Sequence, residues 1–129
     1  MRTLLIFLLA SSCMHASAQK KGRELIDSLL IALPKMKDDT NKVKAITQIV
    51  RTEYALNPLA GVAYAQQALQ LAEKINWKKG IANCHNNLGL MIADTGNNAL
   101  AITHFEKSLV LNKELDSKFN IINNLNNLG

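Results

Sequence analysis

A cysteine beside a histidine is a combination that nucleophilic catalysis can use, and the chain has one at Cys84–His85. On a helix, however, neighbouring residues point about 100° apart, so these two cannot act as a pair. His104 has only Glu106 close by as an acid, two residues on and on another helix face. No HExxH, CxxC, glycine-rich phosphate loop or GxSxG is present. The residues therefore argue against an enzyme within this chain, and no catalytic residue, metal or cofactor is expected. The polar residues that recur are amides. Asn83, Asn86 and Asn87 return as Asn123, Asn126 and Asn127. A carboxamide both donates and accepts, which suits a row of them to polypeptide backbone of any sequence.

The elements that must position these amides repeat with them. Residues 57–89 laid over 97–129 without gaps give ten identities in 33 pairs, among them Asn57/Asn97, Leu69/Leu109, Ile81/Ile121 and the run Asn86–Gly89 over Asn126–Gly129. Composition alone would give about two or three, so the chain carries a 40-residue period. Each unit reads as two helices. Residues 79–94 place Ile81, Cys84 or His85, Leu88 and Ile92 on one face. Thr95-Gly96-Asn97 stops that helix, and Asn98 can cap the next, at 98–115, with Ile102, Phe105, Leu109 and Leu115 inward. The preceding unit has helices at 41–56 and 59–75, broken by Asn57-Pro58, with Val43, Ile46, Ile49 or Val50 and Tyr54 inward. A shorter helix at 22–33 leads in, ended by Pro34, and Asp38-Asp39-Thr40 forms a loop. The expected divisions are 19–39 for this leader, 40–78 and 79–118 for two units, and an incomplete third from 119. All elements are helical, so the fold class is all-α.

Leu88-Gly89, Ala101, Phe105 and Ser108 stand where the tetratricopeptide repeat has Leu-Gly and Ala-x3-Phe-x2-Ala. The central unit therefore resembles that family. Ile92 replaces the usual tyrosine and His85 the usual tryptophan; the earlier unit keeps only Gly61, Ala65 and Ala68. The likeness covers about Thr40 to Gly129. It implies a right-handed α-solenoid of antiparallel helix pairs whose first helices line a concave groove holding a protein or peptide. Asn87 and Asn127, just before Leu-Gly, look like the residues that bond the ligand backbone in such proteins, with Asn83 and Asn123 one turn earlier and Asn86 beside them. The alternative role of these asparagines, stitching adjacent units together, stays open. Forty-residue units are similar to those of exported or membrane-anchored bacterial signalling proteins, where repeats precede a histidine kinase or DNA-binding regulator. The sensory end of such a protein is the second reading.

Composition agrees with stacked helices: 129 residues, 48% hydrophobic, 5% aromatic, two prolines and two cysteines. Disordered and disulfide-dense classes are excluded. Met1–Ala18 reads as an export signal, with Arg2, the apolar run Leu4–Ala10 and the small residues Ala16-Ser17-Ala18. Cleavage after Ala18 and acylation at Cys13 are the two processing routes; either implies export, to the periplasm or its membranes. The apolar run is far shorter than the roughly 20 residues of a membrane span. Without Arg2 the formal charge falls from +5 to +4, scattered along the chain and not interleaved with aromatics, so no nucleic-acid partner is expected. A solenoid usually needs about three repeats, and here the third is cut short; the expectation is the N-terminal piece of a longer protein, only marginally stable alone.

Overall fold

The computed structural model describes the backbone from Arg2 to Gly129 and the side chains from Ala16 onward. The side chains of the expected export signal up to residue 15, Cys13 included, lie outside the described residues. The described residues form helices joined by short turns, with no strand among them. The helices are α1 (Arg2–Ala32), α2 (Thr40–Leu56), α3 (Pro58–Lys74), α4 (Lys78–Asp94), α5 (Asn98–Glu114) and α6 (Lys118–Leu128), with a short 3-10 turn at Leu33–Lys35. Each packs on its neighbour in sequence, and α2 also touches α4. This is the arrangement of a helical solenoid.

Helices α2 to α5 are each 17 residues long. In the second unit, two such helices and two three-residue turns make up the 40-residue period. The first unit is two residues shorter, because Asn57 alone connects α2 to α3. Asn57 ends one helix and caps the other: its side chain accepts from Ala60 N–H at 3.3 Å, and Pro58 supplies a first helical position that needs no donor. Asn97 repeats that cap on Leu100 N–H at 3.3 Å. The cap of α5 is therefore Asn97, not the expected Asn98. The turns that close the two units are also copies. Asn76 and Asp116 both adopt left-handed backbone, with φ of 53° and 49°. After each, an N–H reaches back five residues, Trp77 to Ala72 and Ser117 to Asn112, both at 2.9 Å.

The leader differs from expectation at its start: the helix runs from Arg2 rather than residue 22. No proline interrupts residues 2–32, and one glycine, Gly22, is not enough to end a helix. Gly22 instead lets α1 approach α2; a Cβ there would sit 3.1 Å from Leu56 and 3.2 Å from Thr52. Arg23 of α1 bonds the Glu53 carboxylate of α2 at 3.0 Å.

Two contiguous cores fill the stack. Ile26, Leu33, Val43, Ile46, Ile49, Ala68, Leu71, Ala72 and Cys84 form the first. Val50, Ala65, Leu88, Met91, Ile92, Ala101 and Phe105 form the second. Tyr54, expected inward, is 41% exposed, and its neighbour Glu53 is buried in its place, drawn in by Arg23. Ile102 and Leu115 are exposed as well. The inward face of α5 runs through Ala101, Phe105, Ser108 and Asn112, and Ile102 stands about 100° round from Ala101.

Candidate functional site

The first helices of the units, α2, α4 and α6, line one face of the stack. A cavity of about 470 Å³ there is walled by Arg51 of α2, Lys79, Asn83, Asn86 and Asn87 of α4, and Asn120, Asn123 and Asn124 of α6. A second, of about 500 Å³, adjoins it between α2 and α4 and shares Arg51, Lys79 and Asn83. Lys44 lies on its wall, its ammonium 5.8 Å from the centre of the Trp77 ring.

The asparagines singled out by the repeat divide into two groups. Asn86 Oδ1 accepts from Asn124 Nδ2 and from Asn127 Nδ2, both at 3.0 Å. Those two amides join α4 to α6. Asn83, Asn87 and Asn123 are half-buried on the cavity wall. Among the described residues, no protein group hydrogen-bonds their side chains. Asn126 is exposed. Asn127 does not line the cavity, whereas Asn124, which the repeat comparison did not single out, lies at its base.

Asn124 belongs to a buried polar layer. Its Oδ1 accepts from Asn112 Nδ2 at 2.8 Å, and its Nδ2 reaches Ser108 Oγ at 3.1 Å. Ser108 in turn donates to the Ala82 carbonyl at 2.8 Å, joining α5 to α4. Ser108, Asn112 and Asn124 are almost wholly shielded from water, and the network gives each a partner.

His85 and His104 face each other across α4 and α5, Nδ1 to Nδ1 at 2.9 Å. Sequence reasoning missed this pair. The signal lay in position: residues at nearly equal distances from the turn at Thr95 meet, as Ala82 does Ser108. One Nδ1 must carry the hydrogen and the other accept it. Burial pushes the His85 pKa down to about 4, helped by His104 and Lys107. Burial and Lys107 also lower His104. In the unfolded chain both protonate near pH 6.5, so as pH falls below 6.5 the unfolded state takes up protons first. The pair's contribution to stability is complete above pH 6.5 and is lost progressively toward pH 4. Urea unfolding is expected to show a loss of about 1–2 kcal/mol between pH 7 and pH 5. The His85→Gln, His104→Gln double variant should lose most of that slope; an unchanged slope would refute the assignment.

Cys84 is buried, and that burial, with Glu73 nearby, pushes its thiol up to about 12. It is a core residue, not a nucleophile. No cluster of three potential metal ligands occurs among the described residues, and no helix described is long and apolar enough to cross a membrane. No family model and no curated protein matches the sequence.

Proposed function

We propose that the chain is a protein- or peptide-binding scaffold built from tetratricopeptide-like helix pairs. The observation that carries this reading is the set Asn83, Asn87 and Asn123: three half-buried amides from α4 and α6, without internal partners, along one cavity. None of their polar atoms is buried without a partner, so each stays open to the cavity and free to bond a ligand. An extended polypeptide offers alternating donors and acceptors that satisfy them without regard to sequence. The pattern of Met1–Ala18 supports a place of action outside the cytoplasm.

The test is an immobilised library of extended peptides, with affinities of the hits measured by fluorescence anisotropy. Each of Asn83→Ala, Asn87→Ala and Asn123→Ala is expected to weaken binding by up to about tenfold while helicity by circular dichroism is unchanged. Full affinity in the triple variant would refute the proposal.

A further inference from the structure

Arg51 is the common wall of three recesses. Besides the two described, it lines a third of about 300 Å³, formed with Val50, Tyr54, Leu90, Met91 and Asn87. Four of those six residues are apolar or aromatic, whereas the first recess is walled mainly by amides and cations and the second is mixed, with Val43 and Trp77 beside Lys44, Arg51 and Lys79. No Asp or Glu lines any of the three. Lys44, Arg51 and Lys79 do, and among the described residues none of them has an acidic partner. Cations without an acidic partner occur elsewhere too, Lys35, Lys37, Lys107 and Lys113 among them, but none of those lines any of the three recesses.

We propose that the groove selects an extended polypeptide carrying an acidic residue and, two positions along, a bulky apolar one, with Arg51 taking the carboxylate and the Val50–Tyr54–Leu90–Met91 recess taking the apolar side chain. This rests on the groove being a peptide site. Val50, Arg51 and Tyr54 lie within four residue steps of α2, a rise of about 6 Å. An extended chain advances about 3.3 Å per residue and turns successive side chains to opposite faces, so the two ligand residues that enter the groove together stand two positions apart. The guanidinium presents a planar fork of donors that matches a carboxylate with two hydrogen bonds. At the other end of the recess, Asp94 acts on the Tyr54 hydroxyl and raises its pKa. A second acid on the ligand is disfavoured there, which orders the pair: acid toward Arg51, apolar residue toward Tyr54. Nucleic acid would satisfy the cations but would leave the apolar recess empty.

The test uses labelled peptides with both termini blocked, so that no terminal carboxylate contributes. They carry a Glu-Ala-Phe, Gln-Ala-Phe, Glu-Ala-Ala or Lys-Ala-Phe centre in one neutral frame. Anisotropy is expected to show Glu-Ala-Phe binding at least about tenfold more tightly than the other three. Arg51→Gln, an exposed position that should fold normally, is expected to erase the preference for Glu over Gln. Tyr54→Ala is expected to erase the preference for Phe over Ala. Equal binding of all four peptides, still lost in Asn83→Ala, Asn87→Ala, would overturn the selectivity and leave the peptide site standing. Binding of none would overturn both. Displacement of the Glu-Ala-Phe peptide by a DNA oligonucleotide of higher affinity would overturn the selectivity in favour of a polyanion.

Discussion

Phe105→Ala is expected to cost about 3–5 kcal/mol, enough to remove most of the stability of a domain this small. Phe105 is 3% exposed at the centre of the second core, and its ring lies against the backbone of α4 at Gly89. A Cβ on residue 89 would stand 2.5 Å from Cε1 and 2.6 Å from Cδ1 of that ring. These are edge atoms of a buried aromatic, with no flexible end to swing aside. Gly89→Ala should therefore destabilise by about 1–3 kcal/mol, although alanine is the better helix former by about 1 kcal/mol. The two substitutions should not add. Once Phe105 is alanine, the space beside residue 89 is open, and Gly89→Ala should become neutral or stabilising. Urea denaturation of the four proteins forms the cycle. Additive losses would mean that the ring and the glycine are not in the close contact described.

Asn124→Cys should cost about 2–3 kcal/mol, yet the triple variant Ser108→Ala, Asn112→Ala, Asn124→Cys should recover most of that loss. The reason lies in the repeat. Forty residues earlier the same three positions are Ala68, Ala72 and Cys84, all buried in the first core. The chain thus builds one layer twice, once apolar and once polar. Removing Asn124 alone leaves Asn112 and Ser108 short of partners in a site closed to water. Removing all three reproduces a packing that already exists one unit away, and the half-buried Asn86 keeps its bond from Asn127. Hydrogen exchange adds a local readout: in Asn124→Cys the amides of α6 should lose protection before those of α2 and α3. A triple variant less stable than the single would refute this account.

The helices were legible because apolar residues recur at helical spacing and because Pro34, Asn57-Pro58 and Thr95-Gly96-Asn97 punctuate them. The 40-residue offset also located the amides that came to line the cavity, Asn83, Asn87 and Asn123. Which of the repeated amides are engaged internally was not legible. Asn86 and Asn127 bond across α4 and α6, and that depends on how closely two helices lie, which no spacing within one helix reports. Comparison between units also hid Asn124, since its counterpart is Cys84 and the polar layer appears only once. Periodicity pointed to Tyr54 rather than Glu53 because a lone carboxylate does not read as a buried residue. Its partner, Arg23, stands 30 positions away in sequence. Arg51 was legible as a cation but not as the corner of three recesses, which exists only once α2, α4 and α6 are side by side.

The paired left-handed turns at Asn76 and Asp116 make the chain a set of interchangeable parts. Because each closes with the same five-residue reach-back, a duplicate of residues 77–116 spliced in after Asp116 would join at the seam already used between the existing units. Such a lengthened protein would present an additional α4-type helix on the amide-lined face, and with it a second copy of Asn83 and Asn87. That face would then lengthen by gene duplication alone, with no new junction to invent.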